Sequence, residues 1–266
     1  MDLAFRDLGG NGPPIVILHG LFGSSQNWAS LGRRLAARGR CFALDLRNHG
    51  DSPHAPTHSL ADCVEDLRIW IERRLDEPPR LVGHSMGGLA AMGFAIAHPR
   101  MTAAVAVIDI APRAYPLDHE REFQALRTDI SECRSRTELD ALLAPLLPDP
   151  LVRQFLLTNA VRQEGHESGG GEGGFAWRLN VAALESSSIS GDFSGVTGRF
   201  EGPALFVAGG SSNYLRDADH AAVLRHFPRA RIETIPGADH WPHVSEPRAL
   251  EAILDSFLAA TSNGVQ

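Results

Sequence analysis

What most constrains this chain is a rhythm. Short, nearly continuous apolar runs alternate with stretches whose apolar residues recur every three or four positions. The runs at 14–18 (PIVIL), 41–46 (CFALDL), 80–82 (RLV), 103–110 (AAVAVIDI) and 204–208 (ALFVA) read as strands buried on both faces. Helical patterns separate them at 28–37, 60–75 and 86–97; in the second, Leu60, Val64, Leu67, Ile71 and Leu75 share one face. Residues 3–8 alternate like a half-exposed edge strand, and the end of the chain continues the pattern with a helix around 217–226, a strand at 231–235 and a last helix at 247–260. Such alternation predicts an α/β fold, a mostly parallel sheet flanked by helices. Binding sites on sheets of this kind lie at the carboxyl ends of the strands.

One segment breaks the rhythm. Residues 112–190 carry helical patterns at 122–130, 137–147, 151–162 and 180–186, and no strand pattern. Within it, 168–174 (SGGGEGG) is low-complexity glycine, expected to form a mobile loop. A segment this short and so divided would make a poor core by itself. It therefore reads as a helical cap, or lid, inserted at 112–190 into a core made of 1–111 and 191–266.

Composition removes several classes of function. The 25 basic residues, all arginine, face 32 acidic ones for a net charge of −7, with no basic stripe, so nucleic acid is not an expected partner. The longest apolar stretches, 89–97 and 103–107, fall far short of the roughly 20 residues that cross a bilayer, and the first ten residues carry acids where a secretory signal would carry positive charge. A soluble cytoplasmic protein, monomer or homodimer, with a small-molecule substrate is expected. Cys41, Cys63 and Cys133 are an odd number and read as reduced thiols. His54 and His58 stand in a polar loop without carboxylate or thiolate partners, so they read as solvated residues; no metal and no cofactor is expected.

The chemistry is concentrated at Gly83-His84-Ser85-Met86-Gly87-Gly88. A G-x-S-x-G match alone is weak, but here it leaves a strand directly and opens a helix, the setting of a nucleophile elbow. Ser85 must sit in a strained turn that lifts its hydroxyl above the sheet, and glycine at 83 and 87 removes the side chains that would collide there. A serine hydroxyl needs a base within hydrogen-bond reach. His240 and His243 are the histidines beyond the last strand, and His240, nearer the strand end, is the favoured base.

The acid is less direct. After the penultimate strand, where a carboxylate is expected, stand Ser212 and Asn213, which carry no charge. Asp217 and Asp219 follow and resemble first-turn helix acids. Asp109 ends an apolar strand, where a carboxylate is costly unless an imidazolium compensates it, and it is favoured over Asp217 and Asp219. Amides for an oxyanion are expected at Met86 and at Leu21, with Phe22 the next choice.

These residues resemble an α/β-hydrolase, and more narrowly the YbfF-type esterases and related mitochondrial abhydrolase-domain proteins. The resemblance rests on HGLFGSSQNW (19–28), DLRNHGDSP (45–53), VGHSMGG (82–88), VIDIAP (107–112), FAWRLNVAAL (175–184), GGSSNYL (209–215) and GADHWPH (237–243). It implies an esterase or thioesterase working through an acyl-enzyme, with its acid on the earlier strand, at Asp109. The glycine-rich stretch departs from the family pattern and bears on pocket shape. Asp45, Arg47 and His49 either face the pocket or fix their own loop, with Asp45 paired to Arg47 or capping local amides. Phe22, Trp177, Arg178 and Asn180 are candidates to contact substrate. Carbon–carbon bond hydrolysis and cofactor-free perhalogenation use the same triad and remain alternatives, as does a binding protein that has lost turnover. Serine rather than aspartate at the elbow argues against a dehalogenase.

Overall fold

A computed structural model describes residues 1–116, 118–163 and 174–262. All of the glycine-rich stretch 168–174 except Gly174 lies outside these residues. The strands are β1 (Phe5–Asp7), β2 (Ile15–Leu18), β3 (Cys41–Leu44), β4 (Arg80–His84), β5 (Ala104–Ile108), β6 (Ala160–Arg162), β7 (Phe175–Trp177), β8 (Ala204–Gly209) and β9 (Ala230–Ile235). Seven of them form one sheet in the order β1-β3-β2-β4-β5-β8-β9. Only β1 runs antiparallel, at the edge where the sequence alternates. β2, β3, β4, β5 and β8 are buried along their whole length, as continuous apolar runs require.

The helices are α1 (Ala29–Leu35), α2 (Leu60–Arg74), α3 (Met86–Ala97), α4 (Glu120–Leu126), α5 (Arg136–Leu143), α6 (Pro150–Leu157), α7 (Val181–Glu185), α8 (Ile189–Asp192), α9 (His220–His226), α10 (Pro242–Ser245) and α11 (Pro247–Ala260). Successive strand residues feed opposite faces. Val16, Leu18, Leu81, Val105 and Val107 pack with Trp70 of α2 and Phe94 of α3 on one side. Ile15, Ile17, Val82, Ala106 and Ile108 pack with Leu31 of α1 and Leu254 of α11 on the other. Cys41, Cys63 and Cys133 are all unpaired. No helix among the described residues is long and apolar enough to cross a membrane.

From the edge strand β1 the chain passes to β2, steps outward to β3 between them, then returns across β2 to β4. That reversal opens a crevice between the carboxyl ends of β2 and β4, where ligands of open α/β sheets bind. The segment between β5 and β8 carries its own apolar cluster, from Phe123 and Leu126 of α4 through Leu139, Leu143 and Leu156 to Phe175 and Leu184, closed on Phe22 of the sheet's first crossover loop. Contrary to the sequence reading, this segment is not purely helical. The expected helix at 151–162 stops at Leu157, and Ala160–Arg162 pairs antiparallel with Phe175–Trp177. Strands of three residues are too short to display a period of two.

Candidate active site

The turn after β4 does what its glycines permit. Ser85 sits at φ 51°, ψ −120°, outside the conformations comfortable for a side-chain-bearing residue. Its amide donates to the Ile108 carbonyl of β5 at 3.0 Å, which pins the strained residue to the neighbouring strand. A Cβ at position 83 would lie 2.3 Å from the Gly87 carbonyl oxygen, and one at 87 would lie 2.4 Å from that of Leu18. Neither contact is with a flexible side chain, so the turn tolerates no larger residue.

Asp109 repeats this geometry one strand away. It too has positive φ (50°), and its amide bonds the Val207 carbonyl of β8 at 2.8 Å. Its carboxylate is completely buried. Burial of a charge is costly unless every oxygen is satisfied. Here Oδ1 accepts from the Gly209 amide at 2.9 Å, while Oδ2 accepts from the Ser212 hydroxyl and, at 2.8 Å, from His240 Nδ1. A carboxylate only accepts, so Nδ1 carries the imidazole proton and Nε2 is left bare. That bare nitrogen accepts from the Ser85 hydroxyl at 3.0 Å. Asp217 is exposed on the surface, 3.7 Å from His220 Nε2, and Asp219 pairs with Arg113 and Arg216; neither reaches His240. Ser212, considered in the sequence only as a missing carboxylate, is a partner of the carboxylate that replaced it.

Two further contacts hold the imidazole. Tyr214 stacks on His240 with ring centroids 3.8 Å apart, and the Tyr115 hydroxyl donates to the Tyr214 carbonyl at 2.5 Å. Burial keeps the neighbouring His84 well below the ordinary histidine range, so it is neutral, and its Nε2–H donates to the His240 carbonyl at 2.7 Å. His243 is a packing residue, stacked on Trp28 at 4.4 Å.

The loop after β2 faces the serine. Phe22 has φ 61°, and its amide donates to His49 Nε2 at 3.3 Å. The Phe22 amide is thereby occupied, while Leu21 borders the space above Ser85. His49 is itself fixed by donation from Nδ1 to the Arg47 carbonyl at 2.9 Å. Asp45 caps amides, those of Ser25 at 2.6 Å and Asp51 at 2.9 Å. Arg47, the alternative partner for Asp45, pairs with Asp66 and Asp62 of α2 at 2.6 and 2.8 Å. The sequence reading of His58 is also corrected. It is buried, with Nε2 3.2 Å from the Met86 sulfur, because the loop folds under the Ser85 turn rather than into solvent.

Of the residues expected to contact substrate, only Phe22 borders the cavity over Ser85. Trp177, Arg178 and Asn180 tie down the 112–190 segment instead. Trp177 Nε1 donates to the Thr128 carbonyl at 3.0 Å, and Arg178 pairs with Asp51 at 3.3 Å. Asn180 donates to the Asn48 side chain and the Ala55 carbonyl at 3.1 and 2.9 Å. The cavity is bordered by residues the sequence did not single out, among them His119 and Glu122, Phe155 of α6 and Trp241. Their only sequence signal is position, in the segment after β5 or beside His240.

A model of the alpha/beta hydrolase fold matches residues 13–247. The sn-1-specific diacylglycerol lipase ABHD11 of Mus musculus is 36% identical over 97% of this chain and 86% of its own. Esterase YbfF of Escherichia coli (strain K12) is 33% identical over 93% of this chain and 94% of its own. Among solved structures, a marine microorganism esterase superposes with a TM-score of 0.89 at 36% identity, covering 97% of this chain and 99% of that one. With its reversed parallel sheet and its match over almost the whole length, the chain belongs to the alpha/beta hydrolase fold family, among relatives that are esterases and lipases.

Proposed function

We propose that this protein is a serine hydrolase of carboxylic esters, with thioesters as a related substrate class, acting through an acyl-enzyme. Ser85 Oγ forms a bond to the carbonyl carbon as its proton passes to His240 Nε2. The carbonyl electron pair moves onto oxygen, where the amides of Leu21 and Met86 receive it. The bond to the leaving group then breaks, and His240 returns the proton to that leaving oxygen or sulfur. Water, deprotonated by His240, repeats the sequence on the acyl-enzyme and releases the acid. Asp109 keeps the imidazole in the required tautomer and balances its charge. The segment 112–190 acts as a lid that shapes what reaches the serine.

The observation that carries this reading is the unbroken chain of hydrogen bonds from Asp109 to His240 to Ser85, at 2.8 and 3.0 Å, across 155 positions of sequence. The parent protein is expected to hydrolyse p-nitrophenyl acetate and butyrate and to be labelled by a fluorophosphonate probe. Ser85→Ala should lose both. A variant hydrolysing as fast as the parent would remove Ser85 from the mechanism, and an unlabelled, inactive parent would favour a protein that only binds.

A further inference from the structure

The space above Ser85 is divided, and the division runs through the nucleophile. Ser85, Leu21, His119 and Tyr214 border two cavities. One, of about 140 Å³, is also bordered by His240. The other, of about 40 Å³, is not; it closes on Met86, Leu89, Ile110, Leu184 and Ile189. Proton traffic tells the two apart. His240 must hand its proton to the leaving atom, so the leaving group has to lie on the His240 side. The acyl chain is then left with the smaller cavity.

We infer that the protein selects esters with a short acyl part, of about two to four carbons, and a long, apolar, uncharged alcohol part. This rests on the serine esterase reading above. One water-sized group needs about 10–15 Å³, so the inner cavity takes about three such groups. Its walls do not yield readily: Leu89, Ile110, Leu184 and Ile189 are each at most 2% exposed and packed into apolar clusters. The larger cavity adjoins a groove of about 220 Å³, with Val152, Phe155 and Trp241 bordering both. The groove ends at Leu151 and Val244, apolar side chains left 70% and 63% exposed. An extended hydrocarbon on the leaving oxygen would cover them. Charge narrows the choice further. Glu122 borders the cavity, and Asp149 and Asp239 border the groove, with no arginine bordering either among the described residues. A leaving group bearing phosphates, such as coenzyme A, would meet like charge there.

Octyl acetate and methyl nonanoate have identical atomic composition and place the long chain on opposite sides of the ester. The parent protein is expected to show a kcat/KM at least about tenfold higher for octyl acetate, since several methylenes must otherwise enter a cavity that cannot hold them. Equal or reversed values would overturn the assignment. S-octyl thioacetate should likewise be cleaved faster than acetyl-coenzyme A, and the opposite order would overturn the charge argument. Leu184→Ala, which opens the inner wall, should raise methyl nonanoate turnover relative to octyl acetate; if that variant does not fold, the two esters on the parent still decide. A parent inert to both esters and unlabelled by the fluorophosphonate sinks the esterase reading itself. Labelling with inverted preference sinks only the placement of the two chains.

Discussion

The two regions that meet over Ser85 are built to different tolerances. On the sheet side, Ser85 and Asp109 hold left-handed backbone at the ends of adjacent strands, each pinned by a hydrogen bond from its amide to a carbonyl of the next strand, with backbone oxygens filling the space where a side chain at 83 or 87 would go. Backbone held by backbone has few ways to relax. On the other side, the 112–190 segment meets the core through side chains: apolar packing of Phe123 on Phe22 and of Ile189 in the main cluster, and polar contacts from Asn159 to the Phe22 carbonyl at 2.8 Å, from Asn180 to Asn48 and Ala55, and from Ser187 to the His58 carbonyl at 2.7 Å. Its short helices surround a small cluster of their own. On the proposed serine hydrolase reading, the difference is a division of labour: the sheet fixes where bonds would be made, and the inserted segment sets the volume around them.

Removing the acid would test the rigid side with the largest effect. Asp109→Asn should lower kcat by about 10⁴-fold, the magnitude known for the orienting aspartate of the chymotrypsin-type triad. Asp217→Asn, at an exposed side chain, should change kcat by less than about twofold; steady-state kinetics showing the reverse ranking would reassign the acid.

Acid should come next, and it too strikes the rigid side. Burial lowers His58 and His243 to about 4. Each therefore takes up a proton in the unfolded chain near 6.5 but not in the folded one until about 4. Between those values the unfolded state binds more protons, so stability falls as pH falls through that window. The two together should cost about 4 kcal/mol at pH 5 relative to neutrality, lowering Tm by about 10 °C. A Tm unchanged between pH 7 and pH 5 would mean that these histidines are not held neutral by the fold.

The smallest effect is expected on the side of the inserted segment. Asn180→Ala removes the bonds to Asn48 and Ala55 and should cost about 1–2 kcal/mol. Because those bonds seat the inserted segment and do not touch Ser85, KM should rise severalfold while kcat moves little. A fall in kcat with unchanged KM would instead tie the segment to the chemical step and erase the contrast.

Legibility in the sequence follows the same boundary. The strands and α3 could be read because burial on both faces of a sheet leaves continuous apolar runs, and the last helix was expected at its observed bounds, Pro247–Ala260. Ser85 was legible because a strained turn demands glycine at fixed spacing. Asp109 could be reached by exclusion, since a lone carboxylate in VIDIAP needs a partner. By contrast, the β6–β7 hairpin, buried His58 and the pairing of Arg47 with α2 left no local trace. Neither did the neighbourhood of Glu122, Phe155 and Trp241 over the serine. Trp177, Arg178 and Asn180 looked like substrate contacts and turned out to be fastenings.

The order of residues alone determined the alternation of strands and helices and the place of the lifted hydroxyl, because each of these depends on burial and steric demands between near neighbours in the chain. Only the tertiary structure decided which carboxylate meets the imidazole, which amide is already occupied, and how much room lies on either side of the serine. Those are distances between segments far apart in sequence, set by packing, and no local pattern encodes them.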